Sequence, residues 1–243
     1  QRTNYFTTGE CNISSKIEEF EKATSELQQI DTQDELTHEE ALSFWLNVYH
    51  LMQIHFAIRT KGSQASKSGS DNTYLYNIAG EYLTMSNIEN YFLRDPKGKS
   101  KSKKKDYKFS YALRKNVVEI SFILNYGLSI CPPIAIYYPS SVHRQIQSVA
   151  SHYLEDNIRV DADTKTIQVT GIVYQNYKDF GTTKAEGIVT LCTNYLPQKT
   201  AKLIVTKLTD SDENYKIKCR KEDAYPHISI NDRVLASITK RKK

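Results

Sequence analysis

The chain has 243 residues, 39% of them apolar and 11% aromatic, with a formal net charge of +5 at pH 7. That content can build a sizeable core, which excludes wholesale disorder, and no apolar run reaches the roughly 18 residues that a membrane-crossing helix needs. The charge excess is local, because Lys97, Lys99, Lys101, Lys103, Lys104, Lys105 and the terminal run 240–243 supply it and leave a roughly neutral or acidic body.

In chain order, residues 13–30 repeat apolar positions at Ile13, Ile17, Phe20, Leu27 and Ile30, a helical period with charges between. Thr37-His38-Glu39-Glu40 has the form of a capping box, in which hydroxyl and carboxylate exchange hydrogen bonds with each other's amides. It opens a helix over Ala41 to Ile58 that is apolar on two stripes, so protein surrounds it and Asn47 and His55 need partners inside. Residues 62–72 read as a loop and Tyr74 to Ile78 as an extended piece. Ser86-Asn87-Ile88-Glu89 repeats the capping form before a short helix ending near Arg94, and the lysine-rich stretch follows as a solvated loop.

Val117 to Leu124 and Ile134 to Tyr138 are β-branched or aromatic runs that read as two buried strands, separated by Gly127 and the Cys131-Pro132-Pro133 corner. The spacing Val142, Ile146, Val149, Tyr153 predicts a helix, and Ile158 to Val160 with Thr166 to Val169 a hairpin around Asp161 to Thr164. Helices follow over Ile172 to Phe180 and Ala185 to Tyr195. After Pro197, Leu203 to Leu208 and Tyr215 to Cys219 alternate as a second hairpin, and Ile228 to Ile238 adds one more element. The expectation is an α+β fold, a helical first half packed on a small mixed sheet with a C-terminal β-hairpin extension. Its main domain spans 1–197 and the β-rich extension with a basic tail 198–243.

Cys11, Cys131, Cys192 and Cys219 form no CxxC pair and no zinc-type spacing with histidine, so neither a metal nor a cofactor is expected. Scattered cysteines point to a reducing cytoplasm, while their even number and the sequon at Asn12 keep a secreted chain as the alternative. The chain begins at Gln1 without a signal-like segment, which reads as a processed form or a piece of a longer protein.

Four segments together resemble the family of domains of unknown function numbered five-four-seven, found in bacteria and fused to other modules in plants and protists. They are Phe44-Trp45-Leu46-Asn47-Val48-Tyr49 with His55, Ile88-Glu89 to Leu93-Arg94, Phe122 to Gly127 with Ser129-Ile130-Cys131-Pro132-Pro133, and Tyr177-Lys178-Asp179-Phe180-Gly181. The resemblance covers about residues 40–197 and implies no activity. Family members often carry Asn at the position of His50 and His at that of Asn90. Many bacterial members have His at the position of Ser121, and plant relatives commonly have Ser in place of Cys131. A required nucleophile would not be exchanged in that way.

The chemistry the sequence allows is acyl transfer, with Cys131 as nucleophile, His55 as base, and Asn47 or Glu89 orienting the imidazole. Against it, Pro132 and Pro133 supply no amide after the thiol and favour extended backbone, whereas a reactive cysteine needs a cation or helix N-terminus beside it. The other reading makes Cys131 a small buried corner residue, His55 and Asn47 satisfied core groups, and Glu89 and Arg94 helix-end residues. The sequence therefore favours a non-catalytic protein-interaction or scaffold domain, part of a larger protein and bound to an unidentified protein partner. The alternative is a cysteine-dependent hydrolase or transferase acting on peptide or amide bonds. Nucleic acid or anionic membrane, held by Lys97 to Lys105, is a third and weaker reading.

Overall fold

The longest helix is laid down by its cap. Thr37 receives the Glu40 amide at 3.3 Å while the Glu40 carboxylate accepts from the Thr37 amide at 2.9 Å, which starts α2, His38–Thr60. In the computed structural model the described residues are 10–31, 35–60, 74–94, 113, 117–128, 130–210, 212 and 214–220. The lysine loop Lys97 to Lys105 and the element expected at 228–238 lie outside them, as do the side chains of Cys11 and Asn12.

Before α2 come α1, Glu10–Ser25, and a 3-10 turn, Glu26–Gln29. After it, β1, Tyr76–Ile78, and β2, Glu81–Leu83, pair antiparallel through a two-residue turn at Ala79 and Gly80, both with positive φ. A turn of that sign matches the strand twist. Thr84 then caps α3, Met85–Asn87, in a reciprocal box with Asn87, two residues earlier than the Ser86 box the sequence predicts. Ser86 instead accepts from the Asn90 side chain. The chain winds on as a π-helical turn, Ile88–Arg94.

The expected strand at Val117 to Leu124 is one helical turn, α4, Ile120–Ile123, whose four residues are all buried. An apolar run buried on every side carries no period that separates strand from helix. The expected strand at Ile134 to Tyr138 is extended, with a single bridge residue at Ile134, and among the described residues no strand pairs along it. Side-chain amides stand where a ladder would be. Asn47 exchanges two 2.8 Å bonds with the backbone of Tyr137, and Gln145 accepts from Tyr138 N–H at 2.9 Å while donating to the Ile136 carbonyl at 2.8 Å.

The second half runs α5, Val142–Asn157; β3, Arg159–Asp161; β4, Thr166–Val169; α6, Gly171–Gln175; α7, Lys184–Tyr195; α8, Gln198–Thr209; and β5, Lys216–Cys219. The predicted helix over Ile172 to Phe180 is divided, since α6 ends and a 3-10 turn spans Tyr177–Asp179. The predicted partner strand at Leu203 to Leu208 is part of α8, whose Ala201 and Ile204 are buried. Consequently β5 does not close a hairpin. It pairs parallel with β4 to complete a mixed sheet of order β3-β4-β5.

The fold is α+β, and its apolar residues form two clusters. In one, α2 packs on the β1–β2 hairpin and the π-helical turn, with Trp45 stacked on Phe92 at 4.0 Å between ring centres. In the other, Ile167 and Val169 of the mixed sheet pack with α5, α6, α7 and α8. Two elements belong to both: α4 gives Ile120 and Ile123 to the first and Phe122 to the second, and α5 gives Val142 and Ile146 to the first and Ala150 and Leu154 to the second.

Candidate functional site

A π-helical turn bonds residue i to i+5. Glu89 and Arg94 are five apart, a spacing that an α-helix would turn about 140° away from each other. Here Arg94 Nε meets Glu89 Oε1 at 2.7 Å. Tyr126 donates its hydroxyl to the same carboxylate oxygen at 2.9 Å, and Arg94 Nη2 donates to the fully buried Ser121 at 2.6 Å. The Asp179 carboxylate stands 3.6 Å from the other guanidinium nitrogen. Burial raises the Asp179 pKa against the opposing pull of Arg94, and burial followed by the Glu89 charge raises that of Tyr126. Glu89, Arg94, Tyr126, Leu128 and Ile172 border a cleft of about 450 Å³. Three of the four segments that resemble a known family meet at this cluster.

The fourth, Phe44 to Tyr49, holds the neighbouring corner. Asn125 donates its side-chain amide to the Pro132 carbonyl at 2.8 Å and accepts from Gly127 N–H at 2.8 Å. Gly127 has φ +77°, which strains any residue with a side chain, and a Cβ there would sit 2.6 Å from the Gln53 side-chain nitrogen and displace it. Cys131 Sγ accepts from the Tyr126 amide at 3.4 Å, its own N–H reaches the Leu128 carbonyl at 3.0 Å, and the residue is 7% exposed.

The imidazole at this corner is that of His50, a residue the sequence reading did not single out. Its Nε2 accepts from the Asn125 amide at 3.3 Å, which leaves Nδ1 to donate to the Ala135 carbonyl at 3.4 Å. Complete burial lowers its pKa to about 4, so it is neutral at physiological pH. A signal existed: His50 follows Asn47 by three residues, one face of a helix whose Asn clamps the same extended segment.

The residues proposed for acyl transfer stand in different places. Asn47 clamps Tyr137. His55 bonds the Tyr76 hydroxyl through Nδ1 and the Glu21 carboxylate through Nε2 at 3.2 Å, and that carboxylate also pairs with Arg59. His55, Glu21, Arg59 and Tyr76 border a cleft of about 270 Å³, and Cys131 borders another of about 440 Å³ with His152, Tyr153 and Arg220. His152 engages the Ser148 carbonyl through Nδ1 at 2.6 Å. Cys131, Cys192 and Cys219 are free thiols, and burial pushes the Cys192 thiol up to about 12. Among the described residues no group of three or more His, Cys, Asp or Glu could hold a metal, and no helix is long and apolar enough to cross a membrane.

The family model described as "Protein of unknown function, DUF547" matches residues 33–154, half of the chain. No curated protein and no solved structure matches.

Proposed function

The chain belongs to the DUF547 family, and from that premise we propose that it is a non-catalytic domain that binds a protein partner. One observation carries this reading: each side chain that could perform acyl transfer is already engaged in holding the fold. Asn47 clamps the Tyr137 backbone, Glu89 holds Arg94 and Tyr126, His55 lies between Tyr76 and Glu21, and Cys131 accepts a backbone amide. A thiolate needs a cation or donor cluster to form near neutral pH. The Cys131 sulfur accepts from a neutral peptide N–H, that of Tyr126.

A cysteine-dependent hydrolase or transferase is the second reading, favoured by the open cleft beside Cys131. Its base would have to be His152, which borders that cleft, in place of His55, which borders another. Alkylation by iodoacetamide at pH 7, followed by mass spectrometry of the Cys131 peptide, tests both. The binding-domain reading expects slow labelling, unchanged in His55→Ala and His152→Ala. Fast, selective labelling that either substitution abolishes would refute it.

A further inference from the structure

The cleft beside Cys131 holds charged groups that the fold itself does not use. Its apolar part is formed by Ile130, Pro132, Pro133, Val149 and Tyr153. Its rim carries two guanidiniums, Arg159 on β3 and Arg220 directly after β5. The sheet register brings them together: Arg159 faces Gln168, Gln168 faces Lys218, and Arg220 lies two residues on, its N–H bonded to the Val169 carbonyl at 2.8 Å. Side chains alternate with period two along a strand, so all four project to the same face.

Among the described residues neither arginine takes part in an ion pair. Arg220 is aimed by a 2.8 Å bond from Nη2 to Asn157 Oδ1, and Asn157 is fixed in turn by donating to the Tyr153 carbonyl at 2.8 Å. One carboxylate, Asp156, shares the rim. Two guanidiniums against one carboxylate give these rim charges a formal net +1.

We infer that this cleft captures the C-terminal residue of a partner polypeptide. The terminal carboxylate bridges Arg159 and Arg220, and the last side chain, an apolar one, lies on Pro132, Val149 and Tyr153. A planar guanidinium fork matches a carboxylate, and capture of chain termini is a recurring mode of peptide recognition. The site's +1 complements a monoanion, whereas a phosphate dianion would face Asp156 as well. That same carboxylate is placed to accept a peptide N–H. A volume of about 440 Å³ suits one or two residues. The inference deepens the binding-domain reading and rests on it.

Fluorescence polarisation tests it, with fluorescein-labelled pentapeptides ending in Leu, Phe or Val, each as free acid and as C-terminal amide. Free acids are expected to bind about tenfold tighter than amides or better, and Arg159→Gln and Arg220→Gln each to weaken binding by a similar factor. Arg159 is exposed, so its variant keeps the fold, and a thermal melt checks both proteins. Equal affinity for acid and amide overturns the inference, as does binding unchanged by either substitution, or binding of decanoate but of no peptide. Mass spectrometry of the recovered peptides separates the two claims. Cleaved peptides that bind as free acids refute the non-catalytic reading alone, and intact peptides that do not bind refute the capture site alone.

Discussion

Replacing Asn47 by Ala removes both bonds that hold the backbone of Tyr137, N–H to Oδ1 and Nδ2 to carbonyl, each 2.8 Å. Tyr137 is 1% exposed, and among the described residues no strand pairs with its segment to take over the two bonds. A buried backbone group left without a partner costs about 1–3 kcal/mol. Asn47 is only half-buried and lets some water in, so the expected loss is roughly 2–4 kcal/mol rather than the full sum of two such penalties. Urea denaturation followed by tyrosine fluorescence and far-UV circular dichroism would show this as a lower midpoint at unchanged slope. Gln145→Ala is the control, because Gln145 makes the same pair of bonds in an exposed setting and should cost about 0.5–1.5 kcal/mol. An Asn47→Ala protein within 0.5 kcal/mol of the parent would mean that the clamp does not hold the segment.

The His50 pKa gives a pH dependence of definite sign. Its folded value, about 4, lies below the ordinary 6.5, so the unfolded chain binds more protons and stability falls as pH drops from 6.5 through 4. The full effect is about 3 kcal/mol, and the difference in slope between the parent and His50→Gln isolates it, with parallel slopes as the refuting result. The Tyr137 hydroxyl is buried and has no hydrogen-bond partner among the described residues. Tyr137→Phe should therefore leave stability unchanged or raise it by up to about 1 kcal/mol in thermal melts, and a loss above that would reveal a bond to the hydroxyl. At Gly187 an added Cβ would lie 2.6 Å from the Tyr177 carbonyl oxygen. Gly187→Ala should then destabilise by about 1–2 kcal/mol despite the helix propensity it gains, and a rise in melting temperature would contradict that close approach. Arg94→Lys should lower stability less than Arg94→Ala, which takes a partner from both Glu89 and Ser121 and should cost about 2–4 kcal/mol; equal losses would show that the retained charge contributes nothing without the guanidinium fork.

Local information was enough for much of this chain. The Thr37 box, the apolar stripes of α2, the period of α5 and the β3–β4 hairpin depend on residues a few positions apart, and each stands where the sequence placed it. Three of the four scattered segments lie within residues 33–154, which the family model matches, and the fourth, Tyr177 to Gly181, lies beyond them. What the sequence could not carry was the identity of partners far apart in the chain. Whether Ile120–Ile123 winds into a turn or extends depends on neighbours that bury it from every side. Leu203 to Leu208 alternates like a strand, yet it is helical because α8 has the flank of α7 to cover. Which imidazole stands at the Cys131 corner is undecided by sequence for the same reason: His55 rather than His50 stands out as the candidate base, but Asn125 and that corner come 75 or more residues after His50. A hydrogen bond across that distance is a product of packing, and packing belongs to the folded chain alone.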